Sequence, residues 1–279
     1  MSKVWFVTGA NSGIGAGIVK AALESGDSVV ATGRNVDKLR AAFADVQSER
    51  LAMIQLDITD KTQAEKAINE AVARFGRLDV LVNNAGIAIL GYFEALSVSD
   101  FERQLAPNLF GVINVMHAAL PVMRKQRAGH IINIGSVAGC VGQTHASAYS
   151  ASKFALEGLS MAVAHEVEKF GINMTIVEPG FFRSKLLDTG NASFIDTDIE
   201  DYATGTSTRE TWAPYDGKQN GDPLKLGKAL VTIAAMDKPL KLFLAGSDAV
   251  EVLLPVVEER LQAIKDNREL SSSTDGVDP

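Results

Sequence analysis

Seven short apolar runs recur along the chain, at residues 4–8, 28–32, 51–56, 80–83, 130–135, 173–177 and 241–245. Apolar residues are nearly continuous within each run instead of alternating, as in a strand covered on both faces. Between the runs lie stretches of helical period, at about 14–25, 36–46, 61–75, 99–125, 148–170, 222–236 and 248–266. Pro121 and Pro255 are expected to kink or bound two of them. Strand and helix in alternation predict βαβ units and an α/β fold: one doubly wound, mostly parallel, seven-stranded sheet with helices on both faces. Ligands of such a sheet bind beyond the carboxyl ends of its strands. Residues 181–221 break the rhythm, mixing Gly, Asp, Thr and Asn with scattered Leu186, Leu187, Phe194, Ile195, Tyr202, Trp212 and Tyr215. A long irregular insertion reads as a substrate lid, the alternative being a surface excursion with a small core of its own.

Composition narrows the field. The 279 residues are 46% hydrophobic and 22% charged and contain no internal linker, so residues 1–270 are expected to form a single domain, followed by a disordered tail at 271–279. A net charge of −7 argues against a nucleic-acid partner, which needs clustered Lys and Arg. No basic leader precedes the first apolar run, and no stretch reaches the roughly 18 uninterrupted apolar residues of a membrane span. A cytoplasmic protein without a membrane partner is expected. The single cysteine, Cys140, excludes an internal disulfide and reads as a small buried apolar residue. No metal is expected, because the four histidines lack ligand spacing with acidic residues.

The candidate chemistry sits at strand ends. Tyr149 and Lys153 stand four residues apart in a helical stretch and therefore share a face. An ammonium beside the phenol favours its ionised form, which an isolated tyrosine reaches to about one part in a thousand at neutral pH. Bringing the phenol near neutrality takes about 4 kcal/mol of differential stabilisation. Ser136 ends a strand thirteen residues before the tyrosine. After the first strand comes the turn Thr8-Gly9-Ala10-Asn11-Ser12-Gly13-Ile14-Gly15, where glycine allows close backbone approach and the next helix offers free N–H groups to a pyrophosphate. Gly33 and Arg34 end the second strand, presenting a planar cation to a phosphate and no carboxylate to repel it.

Taken in order, the glycine turn, Asn83-Asn84-Ala85-Gly86, Asn108, Ser136, Tyr149 with Lys153, and Pro179-Gly180 resemble the short-chain dehydrogenase/reductases over about residues 3–250. The run at 180–184 is similar to that of the 17β-hydroxysteroid-dehydrogenase-like and carbonyl reductase subgroup. The resemblance implies a Rossmann fold and hydride transfer between NADPH and a carbonyl, with Tyr149 as acid and base and Ser136 bonded to the same oxygen. Lys153 would lower the tyrosine pKa and grip the nicotinamide ribose, and Asn108 would help hold a relay water. Coenzyme contacts are implied for Gly9, Asn11, Ser12, Gly13, Ile14 and Gly15 at the pyrophosphate, Arg34 at the 2′-phosphate, and Asp57 and Ile58 at the adenine. Asn84, Ala85 and Gly86 would form the cofactor floor, and Pro179, Gly180, Phe182 and Ser184 the loop over the nicotinamide, with Ser184 where the family usually has threonine. Asn11 and Ser12 stand where similar NADP enzymes often carry a second basic residue, so NADP is expected with NAD as the lesser alternative. A homodimer or homotetramer assembled through the two long helices is implied, with the helix at 248–266 capping a subunit or blocking an interface.

Ile87, Leu90, Tyr92, Phe93, Val137, Val141, Phe181 and Phe182 predict a hydrophobic pocket for an aromatic, steroid-like or aliphatic ketone or alcohol, with His145 either lining it or standing in a loop. Two readings compete with the reductase. A non-catalytic NADP sensor or scaffold would need no proton donor. A sugar-nucleotide epimerase or dehydratase would need a larger substrate domain than the residues after Gly180 provide.

Overall fold

The computed structural model describes residues 2–276 apart from 189–190, 203–205, 213–214 and 216–217. The chain runs β1 (Val4–Val7), α1 (Gly13–Glu24), β2 (Ser28–Gly33), α2 (Val36–Ala42), β3 (Leu51–Gln55), α3 (Lys61–Phe75), β4 (Val80–Asn83), β5 (Ala88–Gly91), α4 (Val98–Leu105), α5 (Val112–Gln126), β6 (Gly129–Ile134), α6 (Ser147–Val167), β7 (Ile172–Pro179), β8 (Ala192–Ile195), α7 (Thr208–Trp212), α8 (Pro223–Ala235), β9 (Leu242–Ala245), α9 (Ser247–Asp266) and α10 (Arg268–Ser272). The seven apolar runs form one parallel sheet in the order β3-β2-β1-β4-β6-β7-β9, a Rossmann-like single domain. Its order reverses between β1 and β4, which opens a crevice at their carboxyl ends.

β1 shows why alternation is missing from the strands. Trp5 and Val7 pack with Ile18 of α1 and Leu226 and Leu230 of α8. Phe6, pointing the other way, packs with Ile68 of α3, Val115 of α5 and Leu156 of α6. Both faces are buried, so every position is apolar. Helix starts are written locally: Asn35, Asp60, Ser97 and Asp222 accept hydrogen bonds from first-turn N–H groups of α2, α3, α4 and α8. α1 differs, with no side-chain cap from Ser12 and no acidic residue in its first turn.

Several expectations need correction. The helix expected at 99–125 is two helices, α4 and α5, joined by a π-helical turn at Ala106–Gly111 that contains Pro107. The joined stretch Val98–Gln126 is long and apolar enough to cross a membrane by length and composition, yet it buries Val112, Val115, Met116, Ala119 and Met123 within the domain core. Pro121 and Pro255 lie inside α5 and α9 without ending them. The segment 181–221 is not wholly irregular: β8 pairs with β5 in a second, two-stranded parallel sheet, and α7 follows. The excursion leaves and rejoins the body through a paired neck, where Arg183 N donates to Gly221 O at 3.0 Å and Gly221 N to Phe181 O at 2.9 Å. An ion pair between Arg183 and Asp222 at 3.0 Å flanks it. Of the expected tail, Ser271 and Ser272 close α10 and the residues to Gly276 are exposed, while 277–279 lie outside the described residues.

Candidate active site

Loops from the carboxyl ends of β1, β2, β3, β4, β6 and β7 surround a cleft of about 480 Å³. It is lined by Gly9, Asn11, Ser12, Gly13, Ile14, Arg34, Asp57, Ile58, Asn84, Ala85, Gly86, Asn108, Ser136, Tyr149, Lys153, Pro179, Gly180, Phe182 and Ser184, so the structure brings the expected residues together with one exception. Gly15 stands behind the wall, where a Cβ would meet the Gly9 carbonyl at 2.4 Å and the Asn84 amide at 2.6 Å. Its smallness serves packing of the turn.

At one end the glycine turn is closed by tight approaches. Gly9 has φ +62°, and a Cβ there would stand 2.8 Å from the Ala85 backbone; Gly13 has φ +53° and faces Ser184 in the same way, at 2.9 Å. A side chain at either position would be strained by its backbone as well as by its neighbour. Asn84 Nδ2 donates to the carbonyls of Thr8 at 2.9 Å and Gly9 at 3.1 Å, while the Thr8 hydroxyl accepts from the Asn84 and Ala85 amides. Asn84 thus braces the cradle it lines. Asn83 is structural: its amide donates to Asn133, which donates to Ser160 of α6. The uncapped first turn of α1 meets this cradle, and Arg34 stands exposed at its rim. Asp57 forms a turn with Thr59, accepting from its amide and hydroxyl.

At the other end Ser136 caps the turn Val137–Gly139 by accepting from Ala138 N, which leaves its hydroxyl proton free to donate. Tyr149 and Lys153 share a face of α6. The lysine ammonium lies 5.7 Å from the tyrosine ring centroid and donates to the Ile134 carbonyl at 2.8 Å. Burial pushes the Tyr149 phenol up to about 12, against the pull of Ser136 and helped by Glu178. Burial is the largest influence on the phenol, Lys153 is not among the groups that shift it, and the balance favours the protonated form. A protonated phenol is the form that donates to an alkoxide. Lys153 itself is pushed down to about 8 by burial, with Glu178 pulling it back up.

Asn108 sits in the π-turn, a feature often found at functional sites. Its Oδ1 accepts from Ile87 N, and its Nδ2 donates to Ile87 O and to the Ser152 hydroxyl. Ser152 in turn donates to the Tyr149 carbonyl at 2.7 Å. The side chain is buried with its oxygen and amide both bonded, which ties the π-turn to Ile87 and to α6.

Glu178 was missed. It is fully buried in β7 and accepts from Ser136 N at 2.6 Å. Burial pushes its carboxyl up to about 8, against the Ser136 bond and the nearby Lys153. Its signal in the sequence is a lone acid inside an apolar strand. One ligand atom each of Cys140, Glu157 and Glu178 lies within 4.8 Å of the others, a cluster that ligand spacing did not reveal. Burial pushes the Cys140 thiol up to about 12, which favours the thiol over the thiolate. Asp248, also missed, accepts from Phe181 N at 2.7 Å and fixes the loop after β7.

Of the apolar wall, Ile87, Leu90, Val137, Phe181 and Phe182 line the cleft, joined by Leu186, Leu187 and Trp212 from the excursion. Tyr92, Phe93 and Val141 do not. Tyr92 stacks on Tyr202, Phe93 is exposed and Val141 packs on Leu253. His145 lies outside the cleft, buried with its ring edge-on to Tyr92.

The profile of the short chain dehydrogenases matches residues 3–193. The chain belongs to the short-chain dehydrogenase family. This short-chain dehydrogenase is 36% identical over 272 residues to the oxidoreductase BOA17 of Botryotinia fuckeliana, covering 97% of this chain and 98% of that one. It is 36% identical over 241 residues to a 3-ketodihydrosphingosine reductase of Bacteroides thetaiotaomicron, covering 85% of each. The crystal structure of a short-chain dehydrogenase from Streptomyces avermitilis superposes with a TM-score of 0.89 at 36% identity over 99% of both chains. ElxO with NADP bound superposes at 0.74 and 28% identity, over 90% of this chain and all of that one.

Proposed function

We propose that the chain is an NADP-dependent reductase of hydrophobic ketones, able to run in reverse on the secondary alcohols. The observation that carries the reading is the placement of Ser136, Tyr149 and Lys153 in one apolar-walled cleft whose opposite end is a glycine cradle with Arg34 at its rim. The cradle suits the coenzyme. Close backbone approach at Gly9 and Gly13, and a helix start with neither cap nor carboxylate, fit a pyrophosphate. Arg34, with no ion pair among the described residues, fits the extra phosphate that separates NADP from NAD. NADPH bound there supplies the hydride. Ser136 donates to the substrate carbonyl oxygen and polarises it, and Tyr149 delivers its proton as charge grows on that oxygen, so both act most strongly in the transition state. The Lys153 ammonium then stabilises the tyrosinate left behind. Asn108, through Ser152, holds α6 and its tyrosine in place.

The substrate class follows from the walls and from the keto compound named for the Bacteroides relative. Leu90, Leu186, Leu187 and Trp212 suit an apolar body beside the carbonyl, and we assign to 181–221 the role of cover. The sensor reading loses weight because Tyr149 retains a transferable proton. A cytoplasmic setting and a homo-oligomer belong to the same proposal. The test is oxidation of NADPH and NADH, followed by nicotinamide absorbance, across aliphatic, aromatic and steroidal ketones. Turnover that prefers NADPH and apolar ketones is expected; tight NADPH binding without turnover on any of them would favour the sensor.

A further inference from the structure

α9 is anchored by one face and bare on another. Ala249 and Leu253 are buried, with Leu253 and Val256 packed on Cys140, Val141 and Leu244. Arg260 reaches back to donate to the Cys140 carbonyl at 3.1 Å. From Val257 to Gly276 every residue is exposed. A helix of such length standing in water is marginal by itself. On the flank beside the anchored face stand Val250, Leu254, Val257, Leu261 and Ile264, between 44% and 70% exposed. Their spacing of four, three, four and three residues is a heptad seam, the pattern that packs one helix against another.

We propose that the outer end of this seam, at Leu261 and Ile264, is the interface with a second copy of the chain, the two α9 helices packing antiparallel. The heptad places Glu251, Glu258 and Lys265 on one flank and Arg260 and Asn267 on the other, and flanking charges set orientation. A parallel pair sets Arg260 against Lys265 of the second copy, like against like. An antiparallel pair centred between Gln262 and Ala263 sets Glu258 against Lys265 of the second copy, and the two-fold axis repeats the contact. The same register stacks Leu261 on Ile264 twice. Its centre lies past Arg260, the last side chain of the helix bonded to the body among the described residues. Two helices this short bury less than the roughly 800 Å² per partner of a standard interface, so the contact dissociates on dilution.

Sedimentation velocity of the full chain over a concentration series tests this. Leu261→Asp is expected to weaken self-association at least about tenfold, which is about 1.4 kcal/mol, and to leave ketone turnover per chain unchanged. Glu258→Lys and Lys265→Glu should each weaken it, and the double swap should restore it, a result that loss of helix does not produce. Identical association of wild type and Leu261→Asp, or a double swap that fails to restore it, overturns the interface. So does pelleting with phosphatidylcholine–phosphatidylglycerol vesicles that Leu261→Asp abolishes without a change in mass, which would give the seam to a lipid surface.

Discussion

On the floor of the cleft, the proposed site is braced by hydrogen bonds. Asn84 ties the β1 and β4 turns together, Asn108 and Ser152 tie α4–α5 to α6, and Glu178 holds Ser136 from below. Beside the cleft, the described residues of 181–221 are held by backbone bonds only at the neck and along β8, and elsewhere by aromatic contacts: Phe181 stacked on Tyr215 at 4.7 Å, Trp212 tilted toward Phe181 at 6.4 Å, and Tyr202 stacked on Tyr92 at 4.5 Å. Hydrogen bonds fix an atom within tenths of an ångström, whereas stacked rings slide at little cost. A proton transfer needs the first, and a wall that accommodates differently shaped ketones is served by the second.

Breaking the floor should therefore cost rate, and breaking the cover should cost selectivity. Tyr149→Phe is expected to lower kcat by about a thousandfold while NADPH affinity, measured by fluorescence titration, stays nearly constant; retained turnover would remove the proton donor from the scheme. Arg34→Asp should weaken NADPH by about ten- to a hundredfold, the scale of a lost charge-assisted bond, with NADH hardly affected. Equal weakening of both coenzymes would show that Arg34 does not read the phosphate. Glu178 adds a pH dependence. Its folded carboxyl, pushed up to about 8, keeps a proton that the unfolded chain releases from its ordinary range upward. The folded state then binds more protons across that window, and stability falls as pH rises through it, by at most about 1.4 kcal/mol per pH unit. Denaturant titrations of Glu178→Gln should lose that slope, and an unchanged slope would place the proton elsewhere. The smallest effect belongs to the excursion: Trp212→Ala should raise KM for bulky ketones several-fold and lower stability by about 1 kcal/mol. A loss of kcat for small ketones as well would make Trp212 part of the floor.

The sheet was legible because burial on both faces leaves an unbroken apolar run, as in Val4-Trp5-Phe6-Val7. The cradle was legible because few residues other than glycine tolerate the conformations of Gly9 and Gly13. The π-turn was not, since Asn108 falls on the helical period either way and only Pro107 marked the break. β5 and β8 were missed because each is four residues long and pairs across about a hundred others, a partnership that no local pattern encodes. The burial of Tyr149 was not legible, because spacing gives the distance to the lysine but not the depth, and depth is the largest influence on the phenol.

The paired neck at Phe181, Arg183 and Gly221 separates the length of the excursion from the stability of the body. Loop closure is already fixed there, so doubling the length of what hangs from it adds only about 0.6 kcal/mol. Changes of length between 184 and 220 outside β8 should therefore leave the stability of the body nearly unchanged, and on the proposed reading they would alter which ketones are accepted.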